Sequence, residues 1–272
     1  MESGVAGMKQ GKSGCRSAAS RFPDCCPLNQ DRTEQQYVIR FGCHRFWLAL
    51  PADKNPEESR LIFVFSGHGG TGESNNANDS IPPMKQFRQQ MYAAGFGFVC
   101  AHCRPDAWGD ANSTEETLAA ADCCRRAGLN VPDKIPLLGF SMGGLGVLMF
   151  AARCPEQTDR IAEFFGVTDL EDFFQSGKYP EELEPLGTEE RIARSPLRYL
   201  ERYRQIPILI MHGTRDAIVD ISYSERLYAA LRQQGSPCRW CFCPRGYGLL
   251  AVSICWTFSH CGRGMIASCS PS

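Results

Sequence analysis

The fold is decided by one stretch, Ile135-Pro136-Leu137-Leu138-Gly139-Phe140-Ser141-Met142-Gly143-Gly144, in which a serine lies between glycines behind a short apolar run. It predicts a buried strand that ends in a sharp turn at Ser141 and continues as a helix over 145–152. Side chains two residues before and after such a serine would collide with neighbouring backbone, so glycine is needed at both positions. The pattern indicates a nucleophile elbow, and the alternative is a glycine-rich turn with an incidental serine.

The composition fits one large α/β domain. The chain has 272 residues, of which 43% are hydrophobic and 22% charged, enough to bury a sizeable core. Its net charge of −1 gives no electrostatic reason to expect nucleic acid as a partner. No apolar run approaches the roughly 18 residues of a membrane span, and the first 20 residues lack the apolar core of a secretory signal. We therefore expect a cytoplasmic protein with no membrane partner.

The chain contains 15 cysteines, a count that raises the question of disulfides or metal. Without an export signal, reduced thiols are the expected state. Cys100 and Cys103, together with Cys238 and Cys241, have ligand-like spacing, so a zinc site that joins the two pairs is the alternative. Both pairs fall in strand-like segments, where thiols pack as small core residues. We predict no metal and no cofactor.

Along the chain, three regions are predicted: a flexible extension over 1–34, a folded domain over 35–248 and an atypical tail over 249–272. The domain begins with an antiparallel hairpin over 37–41 and 45–50. Strands are then predicted over 61–65, 97–101, 135–138, 161–167, 206–211 and 238–243, and helices over 84–94, 145–152 and 222–233, with a capping box at 113–116 opening another helix that Gly128 closes. This alternation predicts an α/β fold with a mainly parallel sheet. Short acidic and aromatic helices over 168–204 predict a small cap above the sheet.

Hydrolysis by a serine needs a base, a carboxylate that orients the base, and N–H donors for the oxyanion. The glycine-rich loop 66–72 follows a buried strand, and we predict that Gly69, Gly70 and Met142 donate their backbone N–H groups. A phosphate-binding loop is the rival interpretation, but no Gly-Lys-Ser/Thr follows Gly72. Asp216 comes just after the strand 206–211 and is the predicted orienting acid. The alternatives are an ordinary turn aspartate at this position and Asp220 as the acid.

With the glycine loop, the serine and the aspartate in this order, residues 36–245 resemble the α/β-hydrolase family, especially its esterase, dienelactone-hydrolase and prolyl-oligopeptidase-like branches. The motifs that carry the resemblance span 67–72, 139–144 and 212–219. The resemblance implies a Ser-His-Asp triad, no cofactor, and a pocket roofed by the cap. Trp108, in the loop after a strand, and His68 would line this pocket; the alternative for Trp108 is a partly buried surface tryptophan.

The histidine departs from the family pattern. Such families place it in a Gly-x-Gly-His-like turn after the last strand, whereas here Gly248 is followed by Leu249. No Asp or Glu occurs after Glu225, and six cysteines occur from Cys238 to Cys269 inclusive. We hypothesise that a frameshift or an alternative ending replaced the segment with the catalytic base. His260 is the alternative base, because it is the histidine downstream of Asp216; His44, His68, His102 and His212 are poorer substitutes.

The predicted function is that of a serine hydrolase that cleaves a small-molecule carboxylic ester through an acyl-enzyme intermediate. Two alternatives stay open. One is a serine peptidase of the prolyl-oligopeptidase type, and the other is an inactive hydrolase fold that binds a ligand or is a truncated product. The acidic residues of the 168–204 cap disfavour anionic substrates.

Overall fold

Strands alternate with helices through most of the chain in a computed structural model that describes residues 18–30, 32–70, 82–101 and 104–243. The strands are β1 (Asp24–Gln30), β2 (Glu34–Phe41), β3 (His44–Pro51), β4 (Arg60–Phe65), β5 (Phe96–Ala101), β6 (Ile135–Phe140), β7 (Thr158–Phe164), β8 (Ile208–Gly213) and β9 (Cys238–Cys243). The helices are α1 (Pro82–Ala93), α2 (Ala111–Arg126), α3 (Met142–Arg153), α4 (Leu170–Gln175), α5 (Pro180–Leu183), α6 (Gly187–Ala193) and α7 (Ser222–Gln233). Short 3-10 turns occur at Ala18–Arg21, Pro56–Glu58, Pro155–Gln157, Glu184–Leu186 and Pro196–Tyr203.

The described strands form one nine-stranded sheet in the order β1-β2-β3-β5-β4-β6-β7-β8-β9. Its first part is antiparallel, as β1 to β3 pair in sequence and β3 pairs with β5. From β5 onward every neighbouring pair is parallel. The predicted α/β class and antiparallel start are thus confirmed. The carboxyl ends of β4, β6, β7 and β8 lie along one edge, where ligands bind in folds of this kind.

The central strand β6 is buried on both faces, which explains its continuous apolar run. Leu137 belongs to the core cluster that also contains Val147 of α3, whereas Leu138 and Phe140 belong to a cluster on the other face with Phe87 of α1. Every residue of α3 from 142 to 152 is buried. The helix that follows the elbow is therefore held on all sides by the core.

The first strand corrects the predicted extension over 1–34. Asp24–Gln30 form β1, an edge strand paired with β2, and the turn at Ala18–Arg21 packs nearby with Ala18 and Phe22 buried in the core. Pro27 sits where the register between the two strands shifts. A proline is tolerated there because an edge strand leaves one row of N–H groups without partners in the sheet. The prediction missed this strand because proline and cysteine pairs break a strand-like pattern.

Two predicted boundaries also change. Helix α2 begins at Ala111, and its N-cap is Asp110, whose carboxylate accepts hydrogen bonds from the N–H and the hydroxyl of Ser113 at 2.8 and 2.6 Å. The predicted capping box over 113–116 is wrong, because Ser113 lies one turn inside the helix. The strand predicted over 161–167 is β7, which begins at Thr158 and ends at Phe164.

The segment 168–204 forms the predicted cap, with α4, α5 and α6 above the carboxyl edge of the sheet. Its apolar side chains share one cluster with residues near the elbow, and this cluster includes Leu170, Phe173, Leu183, Trp108, Met142 and Leu145. Arg194 donates to the carbonyl of Ala107 at 3.1 Å and thereby ties the cap to the loop before α2. The cap is packed on the site rather than detached from it.

The order of the strands in the sheet also excludes a zinc site shared by Cys100 with Cys238 and Cys241. Cys100 lies on β5 and Cys238 and Cys241 lie on β9, with β4, β6, β7 and β8 between them. Neighbouring strands are about 4.8 Å apart, so Cys100 is separated from Cys238 and Cys241 by roughly 24 Å and cannot share one ion with them. Cys103, the other predicted ligand, lies outside the described residues. Separately, none of the helices in the described part of the chain is long and apolar enough to cross a membrane.

Candidate active site

Ser141 occupies the elbow in a backbone conformation that residues other than glycine rarely adopt. Its φ is 55° and its ψ is −121°, between the last residue of β6 and the first residue of α3. The N–H of Ser141 donates to the carbonyl of Phe164 on β7 at 2.9 Å, and the carbonyl of Ser141 accepts from Gly144 at 2.8 Å. A strained residue of this kind persists only where surrounding structure fixes it, and such residues cluster at active sites.

The glycines around Ser141 are required by contacts between backbone segments. A Cβ on Gly139 would overlap the carbonyl group of Gly143, and a Cβ on Gly143 would overlap the carbonyl group of Phe65 at the end of β4. Gly67, in the loop after β4, lies beside the serine, because a Cβ placed there would be 3.7 Å from Cβ of Ser141. Three chain segments thus meet at the elbow without room for side chains.

The described part of the glycine loop supplies backbone groups next to Ser141. The N–H of Gly69 donates to the carbonyl of Pro105 at 2.9 Å, and the N–H of Gly70 donates to the carbonyl of Gly67 at 3.0 Å. To act as the predicted oxyanion donors, these two groups would have to leave those carbonyls. Met142 is the first residue of α3, where an N–H has no acceptor within its own helix. The N–H of Met142 therefore needs no rearrangement of a helical hydrogen bond, and its role as an oxyanion donor stays a prediction.

Asp216 lies after β8, two strands away from Ser141. Its Oδ1 accepts hydrogen bonds from the N–H groups of Ile218 and Val219, both at 2.9 Å, so the carboxylate is fixed in its turn. Asp220, the other predicted candidate, uses its Oδ1 to accept from the N–H of Ser222 at the start of α7. Hydrogen bonds from Ser222 lower the pKa of Asp220. Both carboxylates are thus held by backbone N–H groups in the turn after β8, and the choice of Asp216 as the orienting acid stays a prediction.

Three histidines lie in the described residues. His212 is fully buried on β8; its Nδ1 lies 2.7 Å from the hydroxyl of Ser224 and its Nε2 lies 2.9 Å from the carbonyl of Val219. A carbonyl can only accept, so Nε2 carries the proton and Nδ1 accepts from Ser224. Burial lowers the pKa of His212, which keeps the ring neutral. Since both ring nitrogens are engaged, His212 supports the turn of Asp216.

His44 lies in the opening hairpin, and its Nδ1 is 2.9 Å from the carboxylate of Glu116. That position is at the antiparallel end of the sheet, away from Ser141. The predicted alternative base, His260, and the tail over 249–272 lie outside the described residues, as does His102. The base therefore stays a prediction.

His68 and Trp108 lie together under the cap. Nε2 of His68 is 2.7 Å from Oε1 of Glu182, while Nε1–H of Trp108 donates to Oε2 of the same carboxylate at 2.8 Å. Tyr179 packs against both rings, with centroid distances of 4.5 Å to His68 and 4.9 Å to Trp108. Trp108 is buried and has a φ of 41°, so the partly exposed surface tryptophan is excluded. Sequence reasoning missed Glu182, one of several acidic residues in the cap.

A small cavity lies between the glycine loop, the Trp108 loop and the first turn of α3. Its lining includes Phe65, Ser66, Gly70, Arg104, Trp108 and Met142. Most of this surface is apolar, and the N-terminal end of α3 opens onto it. Met142 and Gly143, which follow Ser141 in the elbow, form part of its wall, and Ser141 itself is not among the lining residues.

Glu163 is a further residue at the elbow that sequence reasoning missed. It is fully buried on β7, and its Oε1 accepts a hydrogen bond from the N–H of Gly166. Burial raises the pKa of Glu163 to about 8, against the opposing effect of that hydrogen bond. A lone acidic residue within the apolar run 161–167 was the available signal.

One family model and two curated proteins match the sequence of this chain. Residues 85–246 match the Prolyl oligopeptidase family. A protein of Salmonella typhimurium, Uncharacterized protein YfhR, is 30% identical over 226 residues, which are 80% of this chain and 74% of that protein. The corresponding protein of Salmonella typhi is 26% identical over 226 residues, with the same coverage.

Solved structures show the same fold. A puromycin-hydrolyzing peptidase of Mycobacterium tuberculosis superposes with a TM-score of 0.60 at 19% identity, covering 78% of this chain and 35% of its own. An acylaminoacyl peptidase bound to Z-Gly-Gly-Phe-chloromethyl ketone gives 0.65 at 15% identity, covering 83% and 41%. The acylaminoacyl peptidase of Pyrococcus horikoshii gives 0.63 at 16%, covering 79% and 38%. The chain thus spans between about a third and two fifths of these peptidases.

Proposed function

This chain belongs to the prolyl oligopeptidase family of α/β-hydrolase-fold proteins, and we propose that it hydrolyses small, uncharged carboxylic esters through an acyl-enzyme intermediate on Ser141. The observation that carries the proposal is the strained Ser141, with φ 55°, at the N-terminus of the buried helix α3. Asp216 supports it, since its carboxylate is fixed at the same edge of the sheet.

In the proposed reaction, a histidine from the chain beyond Cys243, with His260 as the candidate, takes the proton of Ser141 while the serine oxygen attacks the acyl carbon. Asp216 holds that imidazole in the required tautomer and orientation. The negative charge on the carbonyl oxygen is stabilised by the N–H of Met142 and by N–H groups of the glycine loop. The imidazolium then protonates the departing alcohol, and water releases the acid from the serine by the same steps.

The proposed partner is a small-molecule ester rather than a macromolecule, because the cavity next to Met142 and Gly143 is small and mostly apolar. The acidic cap residues, among them Glu182, favour neutral over anionic substrates. A cytoplasmic location is part of the proposal, because the described cysteines, including the exposed Cys26 and Cys43, are free thiols.

A peptidase is the second candidate, and the family match is the observation that favours it. Two of the similar structures are named as acylaminoacyl peptidases and one as a puromycin-hydrolyzing peptidase, which points to amide bonds next to an acyl or aminoacyl group. Ester and amide cleavage use the same nucleophile and oxyanion site, so the leaving group distinguishes the two candidates.

The test compares short p-nitrophenyl esters with N-acetyl-aminoacyl p-nitroanilides as substrates of the purified full chain. We expect ester turnover that Ser141→Ala abolishes and that Asp216→Asn lowers by about 10³- to 10⁴-fold. The matched control Asp220→Asn should stay within about threefold of the wild type. Faster anilide cleavage would establish the peptidase instead. Equal residual rates for the wild type and Ser141→Ala would contradict both and favour an inactive binding fold.

A further inference from the structure

Glu163 sits at a position where a charge has no compensation. Its neighbours in register are Gly139 on β6 and Ile210 on β8. The flanking strands and α3 carry two ionisable side chains, and both are engaged elsewhere: His212 with Ser224 and Val219, and Arg153 with the carbonyls of Gly109 and Asp110. Oε2 of Glu163 is buried and has no hydrogen-bond partner within the described part of the chain.

The carboxyl group lies directly beneath the first turn of α3. A Cβ on Gly144 would be 2.9 Å from Oε1 of Glu163 and 2.7 Å from Cα of Gly166. Glu163, Gly144 and Gly166 therefore form one close-packed contact. Phe165 comes just before Gly166 in the turn after β7. Its φ is 44°, a left-handed conformation that is unfavourable for a phenylalanine. The hydrogen bond from Gly166 to Glu163 closes this strained turn.

The same turn holds Ser141. Phe164, next to Glu163, accepts the hydrogen bond from the N–H of Ser141 at 2.9 Å. Gly144, which packs on Gly166, donates to the carbonyl of Ser141 at 2.8 Å. The nucleophile is thus bonded on one side to the strand that carries Glu163 and on the other to the helical turn that rests on Glu163.

We propose that Glu163 is a positioning residue for Ser141, and that it performs this role as a neutral carboxylic acid under the N-terminus of α3. The proposal rests on the proposed function, because it assigns the residue to the serine chemistry described above. The neutral form matters because a negative charge there would oppose the positive potential that an oxyanion needs at Met142.

The electrostatics agree with the geometry. Burial raises the pKa of Glu163 to about 8, so the group is mostly protonated at pH 7. A buried carboxylate with one unpaired oxygen would be costly, whereas the acid form is tolerated. Ionisation above pH 8 should therefore weaken catalysis without changing the contacts that bind substrate.

The first test measures kcat and KM for a p-nitrophenyl ester between pH 6 and 10 in wild type, Glu163→Gln and Glu163→Ala. Glutamine retains an oxygen that accepts from Gly166 but cannot ionise. We expect Glu163→Gln to match the wild-type kcat within about threefold at pH 7 and to lack the decline above pH 8. Glu163→Ala should lose about 10- to 100-fold in kcat with KM unchanged, since small misplacements of a nucleophile cost that much.

The exposed Glu156→Gln is the control and should match the wild type throughout. An alkaline decline that persists in Glu163→Gln, or an unaltered kcat in Glu163→Ala, would overturn the proposal.

Two measurements separate its failure from that of the proposed function. If the wild type is no more active than Ser141→Ala, the positioning role can still be tested by amide hydrogen exchange. Faster exchange at the Ser141 amide in Glu163→Ala than in the wild type would support the role. Unchanged protection of that amide would overturn it. Thermal unfolding tests whether Glu163 is neutral in the folded protein. The unfolding midpoint of the wild type should fall relative to that of Glu163→Gln as pH rises from 5 to 8. Midpoints that change in parallel would overturn the neutral state of Glu163.

Discussion

At the scale of single residues, Gly143 is fixed by backbone contact rather than by its dihedral angles. A Cβ at this position would overlap the carbonyl of Phe65, which is part of β4 and cannot move away as a side chain could. We expect Gly143→Ala to lower the free energy of unfolding by more than about 4 kcal/mol, as in severe core overpacking. Gly177→Ala is the control, because Gly177 has a φ of 78° but open space around it, and it should cost about 1 kcal/mol. Chemical denaturation measures both, and equal losses would contradict the steric argument.

His212 should make stability depend on pH. Its pKa is lowered by burial from the ordinary value of 6.5, so the unfolded chain binds a proton before the folded chain does. The stability is therefore complete above pH 6.5 and is lost as pH falls toward 5. In His212→Gln, whose amide can still donate to Val219, this slope should disappear from thermal melts over that window. An identical slope in the variant would show that other groups cause it.

The sequence predicts Ser141 as the nucleophile because an elbow needs glycines at fixed spacing, and the turn at Ser141 is confirmed by the structure. It predicts Asp216 as the orienting acid because this residue comes after a later strand of the sheet, and that role stays a prediction. It did not identify Glu163 or Glu182, whose roles depend on contacts with Gly166 and Trp108 that are distant along the chain. No local pattern records such contacts.

Among the elements, α4, α5 and α6 of the cap are linked to one another by the buried Arg191 of α6. Arg191 donates to Oε2 of Glu171 at 2.6 Å and to the carbonyl of Leu183 at 2.8 Å, and its guanidinium lies 3.9 Å from the ring centroid of Phe174. Hydrogen bonds from Arg191 and Gln175 lower the pKa of Glu171.

Replacing this arginine should loosen the cap. We expect Arg191→Met to weaken the packing of α4 to α6 by about 2 kcal/mol, because charged hydrogen bonds to buried groups are lost. Limited chymotrypsin digestion would detect it as cleavage up to about 30-fold faster at Phe173, Phe174 or Tyr179, because each 1.4 kcal/mol changes the opening equilibrium about tenfold. The control, Arg198→Met, changes an exposed arginine and should digest like the wild type. Equal digestion of both variants would show that apolar packing alone holds the cap.

The elements themselves were predictable where periodicity was strong. Helix α7 matches its predicted span over 222–233, and β9 its span over 238–243. Strand β1 was not predictable, because apolar and polar residues do not alternate around Pro27. Its pairing with β2 is decided by tertiary structure. The start of α2 shifted because Asp110 competes with Ser113 for the cap and bonds its amide.

In the whole molecule, the sheet brings the ends of β4, β6, β7 and β8 to one edge, and residues of the proposed site lie at each of these ends. The glycine loop follows β4, Ser141 follows β6, Glu163 lies near the end of β7, and Asp216 follows β8. This convergence is a property of the parallel strand order, which alternating strands and helices predicted. Substrate class is set by loops and the cap, and therefore could not be read from the sheet pattern.

The role of Ser141 as an activated nucleophile can be tested by treating the full chain with a fluorophosphonate, a reagent that phosphonylates activated serines, and analysing the intact and digested protein by mass spectrometry. We expect one adduct, located on the peptide that contains Ser141, and no adduct on Ser141→Ala. An unlabelled but folded wild type, or an adduct retained by Ser141→Ala, would contradict the claim that Ser141 is an activated nucleophile.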